Sequence, residues 1–182
     1  MRPALLLCSI ILVLGSLATA QVPAGNVFFG YSYYHTDIST VDSANTNGWE
    51  ASLEGKVLPF IGIVADFNQN YGSENFAILC PGVGCPANLN VNVHEQNYLF
   101  GPRVSISFGK FRPFAEALFG AGHVSTNGVG SDTSFATALG GGLDYRIIKP
   151  IAWRLQGDYV QTRFFGNTQN NVRISTGIVL RF

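Results

Sequence analysis

The stretch V-R-I-S-T-G-I-V-L-R-F, Val172 to Phe182, decides how the rest of the chain is read. Successive side chains of a strand point to opposite sides. Val172, Ile174, Thr176, Ile178, Leu180 and Phe182 therefore share one face, and Arg173, Ser175, Gly177 and Arg181 share the other. One face is apolar and the other carries charge. The same two-faced alternation recurs through most of the chain, and the polar face holds more ionisable groups than the core of a water-soluble domain accommodates.

The first 20 residues, M-R-P-A-L-L-L-C-S-I-I-L-V-L-G-S-L-A-T-A, join one basic residue, an apolar run and the small-x-small triplet Ala18, Thr19, Ala20. This reads as a secretory signal peptide cleaved after Ala20. A retained spanning helix is disfavoured because the run is short for that purpose and no basic cluster follows it. Lipidation at Cys8 is disfavoured because Leu7 precedes it where a small residue is wanted. Residues 21 to 182 are then a single domain. Charged residues make up 12% of the chain and the formal net charge is zero, so no polybasic patch invites nucleic acid or acidic lipid.

Beyond Ala20 the longest stretch free of polar side chains is Val57 to Ala65, too short for a membrane helix. A mature chain that spans a bilayer must then do so as a closed barrel, because closure satisfies every backbone donor and acceptor in lipid. Eight alternating segments can be marked: Val27 to Asp37, Gly48 to Val57, Phe60 to Tyr71, Gln96 to Phe108, Pro113 to Ser125, Ser134 to Arg146, Ile151 to Phe164 and Asn171 to Phe182. Each meets the roughly 9 to 11 residues that a tilted strand needs to cross hydrocarbon. Their connections alternate short and long. K-V-L-P-F, K-F-R-P-F and I-I-K-P-I form a weak repeat at the short turns, with Pro59, Pro113 and Pro150 leading into strands where a missing N–H is tolerated. Pro102 falls inside the fourth segment and predicts a bulge there.

The apolar phase includes Phe29, Trp49, Leu53, Phe67, Phe100, Phe119, Leu139, Trp153 and Tyr159, with aromatic residues concentrated toward segment ends. Such clustering predicts two girdles at the lipid headgroups, where β-propensity alone predicts no preference for ends. The opposite phase collects Glu50, Glu54, Lys56, Asp66, Arg103, Glu116, Asp144, Arg146, Arg154, Asp158, Arg173 and Arg181, six acids and six bases. A lipid-facing Arg or Lys costs about 2–4 kcal/mol at the midplane, so these groups are expected in the lumen. Eight strands leave a lumen wide enough only for side chains, which predicts an ion-pair network in place of a wide channel.

With these segments in hand, N-Y-L-F-G-P-R (97–103), R-P-F-A-E-A-L-F-G-A (112–121), A-L-G-G-G-L-D-Y-R (138–146) and the terminal G-I-V-L-R-F make the chain resemble the small outer-membrane β-barrel family, barrels like the transmembrane domain of outer membrane protein A and its porin-like relatives. The resemblance covers nearly all of residues 21 to 182. It implies an all-β, eight-stranded antiparallel up-and-down barrel in a Gram-negative outer membrane. It further implies both termini in the periplasm, lipid and lipopolysaccharide as surroundings, and insertion by the barrel-assembly machinery, with Ile178, Leu180 and Phe182 as the assembly signal. The chain stops at Phe182, so no peptidoglycan-binding domain is expected. The motifs specify a barrel and no activity, and the expected role is structural, surface-interacting or that of a narrow pore. A monomer without cofactor, metal or nucleic-acid partner is expected.

Two constellations remain. Cys80 and Cys85 enclose P-G-V-G in the longest loop, and an exported protein meets oxidising conditions, so a disulfide is expected; it stabilises by about 2 kcal/mol on the chain-entropy estimate. His123 and Ser125 share a face in H-V-S-T-N, where an imidazole could activate the hydroxyl with Asp132 orienting it. The pair is similar to the His-x-Ser of lipid A deacylase barrels, although Thr126 stands where those have Asn. This enzymatic reading is the alternative. A soluble lipocalin-like carrier is the third, and it requires an apolar lumen and polar exterior, the reverse of the pattern here.

Overall fold

The structure is a computed structural model, and it describes residues 24–37, 44–76, 89–126, 130–166 and 168–182. The proposed signal peptide and both Cys80 and Cys85 lie outside the described residues. Eight strands follow in chain order: β1 (Gly25–Asp37), β2 (Ala44–Lys56), β3 (Ile61–Phe76), β4 (Leu89–Ser105), β5 (Phe111–Thr126), β6 (Gly130–Ile148), β7 (Ile151–Thr162) and β8 (Gln169–Arg181). Each pairs antiparallel with its chain neighbours, and β8 returns to pair with β1, so the sheet closes into a barrel. The seam runs from Asn26 opposite Arg181 to Asp37 opposite Asn170. At the short-turn end it is finished by reciprocal backbone bonds between Gly25 and Phe182, 3.0 and 3.1 Å long.

Alternation selects which face each residue takes. In β7 every second residue from Ala152 to Thr162 is buried, and those between, Trp153, Leu155 and Tyr159 among them, face outward. Phe29, Phe100, Phe119, Phe135 and Leu139 are each more than half exposed on the outer surface. The rings of Phe29, Trp49, Phe67 and Tyr98 form a continuous outer row across β1 to β4, with centroids 5.9, 5.0 and 4.8 Å apart. Near the short turns Phe111 and Tyr145 make a second contact at 5.2 Å. An exterior this apolar is the surface that hydrocarbon accepts and water does not.

The strands reach further toward the long loops than alternation indicated. β3 continues to Phe76 and β4 begins at Leu89, with Gly72 to Phe76 paired against Val93 to Leu89. In this extension Leu89, Val91 and Val93 still alternate with Asn90 and Asn92 on β4, while the end of β3 shows no such period although the hydrogen-bonded ladder persists. Pro102 corrects the expected bulge. Pairing of β4 with β5 lapses at Gly101 and Pro102 and resumes in the same register at Arg103 opposite Glu116, while pairing with β3 continues through Pro102 opposite Ile63. Two lost ladder positions on that side absorb the missing donor. The register shift lies elsewhere, between Arg146 and Ile148, just before the third short turn.

Candidate functional site: the charged lumen

Buried residues inside the barrel include two apolar groups, one with Tyr34, Val64, Leu99, Leu118 and Val160 and one with Phe28, Ala152 and Val179. Charged side chains occupy the space between. Nearest the short turns, Arg103 donates from Nε to Glu116 at 2.6 Å and pairs with Glu54 at 3.3 Å. Arg112 pairs with Glu54 at 2.6 Å and donates to the Ser105 hydroxyl at 2.7 Å. Arg154 grips both oxygens of Asp144, at 2.7 and 3.1 Å, and Arg181 joins the same carboxylate at 3.1 Å. Two of the guanidinium groups also lie against rings: Arg103 stands 4.4 Å and Arg154 4.6 Å from the centroid of Phe114. The Phe114 ring fits because β6 has Gly142 opposite it, where a Cβ would stand 2.8 Å from the ring. Cation–π attraction thus adds to fork-shaped pairing in a desolvated space.

Further toward the long loops, Arg173 sits among three carboxylates: Asp158 at 2.7 Å, Asp66 at 2.8 Å and Glu50 at 3.6 Å. The Gln156 amide nitrogen bridges Glu50, Glu116 and Asp158 at 2.9 to 3.2 Å, and the Ser175 hydroxyl donates to Glu50. Above this layer the polar groups are mostly amides. Asn97 reaches Asn68, Glu95 and the Tyr34 hydroxyl at 3.0 to 3.3 Å, and Asn70 reaches Asn68 at 3.2 Å. Phe164, in a 3-10 turn at Phe164–Gly166, is buried at this end, with its ring where a Cβ on Gly122 would stand.

Ten of the twelve lumen residues named from sequence meet in this network. Lys56 and Arg146 do not. Lys56 donates to the Pro59 carbonyl at 3.0 Å and Arg146 to the Gly109 carbonyl at 2.9 Å, so both tie short turns at the rim. Two residues were missed. Arg112 precedes Pro113, which was read as the start of the fifth strand, although β5 begins at Phe111. Glu95 lies one residue before the fourth alternating segment, Gln96 to Phe108, yet it is buried in β4. Extending each alternation by its phase would have found both.

The His123 ring is engaged by the Thr133 hydroxyl across the ladder, Nδ1 to Oγ1 at 2.8 Å. Asp132 stands opposite Val124, whose side chain faces the lumen, while His123 and Ser125 face outward; the Asp132 carboxylate accepts from the Thr133 N–H at 2.8 Å. The outer collar around this level is a belt of similar polar pairs: Tyr31 with Asn47, Tyr33 and His35 with Asn45, and His94 with Gln69. Tyr71 stacks on His94 with ring centroids 4.5 Å apart.

Ile178 and Leu180 project outward from β8, and Phe182 lies beyond them on the same face with its ring exposed. Among the described residues there is no group of three or more His, Cys, Asp or Glu arranged to hold a metal ion.

The family of the outer membrane protein β-barrel domain matches residues 4–182. No curated protein sequence matches the chain. Among solved structures, Neisserial surface protein A is similar with a TM-score of 0.65 at 13% identity, over 87% of this chain and 97% of that one. Ail, the attachment invasion locus protein of Yersinia pestis, is similar with a TM-score of 0.60 at 16% identity, over 88% of this chain and 99% of that one. The N-terminal β-barrel domain of Pseudomonas aeruginosa OprF follows with a TM-score of 0.52 at 12% identity, over 87% and 99%. At these identities the likeness is one of fold.

Proposed function

The chain belongs to the outer membrane protein β-barrel domain family, and from that premise we propose that it acts as a non-catalytic surface protein whose lumen admits no solute stream. The observation that carries this reading is the buried ion-pair network. Arg103 and Arg173 are fully buried between carboxylates and Arg154 is fully buried against Asp144, at 2.5 to 3.6 Å, so any solute must first separate charges held in a low-dielectric space. Separating one such pair strands its partner, which is far costlier than the net worth of the pair.

Function then rests on the long loops. Residues 38–43, 77–88, 127–129 and 167 contain no lysine or arginine. Ail has been solved in complex with the heparin analogue sucrose octasulfate; loops without lysine or arginine suit a polyanion poorly, and uncharged or cationic partners fit this chain better. The apolar belt faces lipid and lipopolysaccharide, the terminal strand with Ile178, Leu180 and Phe182 serves the barrel-assembly machinery, and both termini lie on the periplasmic side with the short turns. Closure of the sheet leaves no free strand edge for pairing, which supports a monomer. The engaged His123 ring and the opposite phase of Asp132 weigh against the deacylase alternative, and the exposed rings against a soluble carrier.

Planar-bilayer recording of the refolded barrel tests the proposal. Wild type should give no large steady conductance. A stable open channel of large conductance overturns the closed lumen and makes the protein a general porin.

A further inference from the structure

The outer wall of the barrel has a step on the long-loop side. Pairing of β2 with β3 ends at Asn47 opposite Tyr71, and pairing of β4 with β5 ends at Val93 opposite Thr126. The ladder between β3 and β4 continues past both, to Phe76 opposite Leu89. A two-stranded ribbon therefore rises above a shoulder of β5, and beside it lies a cavity of about 550 Å³, inside the roughly 300–1,000 Å³ range of small-molecule clefts. The side chains that line it include Tyr71, Ser73, Asn92, His94 and Ser125. Alternation puts all of these in the outward phase, since Asn70, Glu95 and Val124 beside them are buried in the lumen. The cavity thus opens sideways from the wall, away from the ion-pair network.

Tyr71, His94 and Ser125 are cross-strand partners in one row. The rings of Tyr71 and His94 stack at 4.5 Å with 25° between their planes, and the Gln69 amide holds His94 Nε2 at 2.7 Å. Tyr71 is thereby fixed in place while 52% of it stays exposed. The hydroxyls of Tyr71, Ser73 and Ser125, the Asn92 amide and His94 Nδ1 make no hydrogen bond among the described residues. A fixed aromatic surface beside free hydroxyl and amide groups matches an uncharged sugar ring, whose C–H face packs on an aromatic plane while its hydroxyls need both donors and acceptors. A phosphate would lack its cation. No acid, lysine or arginine lines the cavity, and residues 77–88 and 127–129, which flank these strands, contain no lysine or arginine. The exposed Arg163 follows β7, which pairs with none of β3, β4 and β5.

Height identifies the source of the sugar. Tyr71 lies four residues beyond Phe67 and His94 four before Tyr98, and Phe67 and Tyr98 belong to the outer aromatic row. At about 3.3 Å per residue and a tilt of about 40°, the cavity stands about 10 Å above that row, level with lipid headgroups and clear of acyl chains. We propose that the cavity at Tyr71, His94 and Ser125 is a lateral binding site for an uncharged sugar of a glycolipid standing beside the barrel in the outer leaflet. The inference rests on the surface role proposed above and gives it a partner class.

For the test, the full barrel is refolded in phosphatidylcholine nanodiscs that contain, in turn, monoglucosyl diacylglycerol, monogalactosyl diacylglycerol, phosphatidylglycerol or plain diacylglycerol with the same acyl chains. Native mass spectrometry measures the lipid retained on the released barrel. Wild type should retain at least one of the two glycolipids about tenfold over diacylglycerol and phosphatidylglycerol. Tyr71→Ala should remove that preference while its unboiled gel band still shows a folded barrel, whereas Tyr31→Ala, at an exposed collar tyrosine outside the cavity, should leave it intact. Ser125→Lys should turn the preference to phosphatidylglycerol. Glycolipid retention equal to that of diacylglycerol, or lowered equally by Tyr31→Ala, overturns the sugar site, as does a Ser125→Lys barrel that keeps the wild-type preference. Free methyl glucoside or methyl galactoside bound as tightly as the glycolipids overturns the lipid source. Conductance of the same preparations tests the closed lumen separately: a leaky barrel that retains glycolipid fails only that reading, and a sealed one that retains none fails only this inference.

Discussion

Replacing Arg103 with Ala strikes the layer of the lumen where two partners can be compared directly. Its guanidinium reaches Glu116 at 2.5 Å and Glu54 at 3.3 Å and covers the face of Phe114. Glu54 keeps Arg112 at 2.6 Å and the Asn26 amide at 2.8 Å after the change. Among the described residues Glu116 then keeps Gln156 alone, at 2.9 Å. The cost is therefore that of one stranded carboxylate, about 3–5 kcal/mol, and the retained partners of Glu54 place it toward about 3. Glu116→Ala strands Arg103 less completely, since Glu54 remains beside it. The double variant Arg103→Ala, Glu116→Ala removes both charges and should cost less than the two singles together, with a coupling energy of about 1–3 kcal/mol. Urea unfolding of the four proteins in lipid vesicles, followed by tryptophan emission, gives the cycle. Additive single effects, or an Arg103→Ala barrel as stable as wild type, refute the claim that the lumen is held by coupled buried pairs.

Other expectations concern export, assembly and chemistry. Intact mass from purified outer membranes should show a mature chain starting at Gln21; full-length protein in the inner membrane contradicts the cleavage. Phe182→Ser should lower the yield of folded barrel on unboiled gels several-fold without hindering secretion, because it alters the exposed ring beyond β8 and leaves the amino terminus untouched; an unchanged folded yield removes Phe182 from the assembly signal. His123→Ala and Ser125→Ala should leave the acylation of lipid A unchanged by mass spectrometry, and loss of an acyl chain dependent on both residues would restore the enzymatic reading.

Alternation alone placed the faces of the strands, because a closed membrane barrel imposes the same outward rule on every strand. The Val172 to Phe182 pattern, the outward phase of Trp153 and Tyr159, and the inward phase of Asp158 and Arg173 all follow from it. The rule fails where its cause is absent. The end of β3 beyond Tyr71 has polar residues in both phases and carried no periodic signal, whereas Leu89, Val91 and Val93 alternate with Asn90 and Asn92 in β4 in the phase of Glu95. The shift near Arg146 did leave a trace: Ile147 and Ile148 are consecutive apolar residues, both more than half exposed, as a bulge allows and a regular strand in this setting does not. At Pro102 the lost donor is absorbed by vacant ladder positions at Gly101 and Pro102, with no inserted residue. Arg103 and Glu116 can be paired from sequence because they lie on neighbouring strands, but partners across the lumen were beyond sequence, since Glu50 meets Ser175 across 125 residues of chain.

The seam between β1 and β8 has a bearing on how fast the molecule can form. Asn26 faces Arg181 there, whereas the last hairpin joins Ile151 to Leu180. Between those two separations lie fewer than three doublings, and each doubling of a closed loop costs only about 0.6 kcal/mol. The equilibrium penalty for the long-range join is thus small. Timing is another matter, because contacts between the ends of a chain form slowly and reward nothing until they are made. Without β8 the other seven strands form an open sheet with two bare edges, and each unpaired backbone group costs several kcal/mol in hydrocarbon. Truncation therefore yields no smaller version of the protein, and maturation waits on the arrival of its final residues.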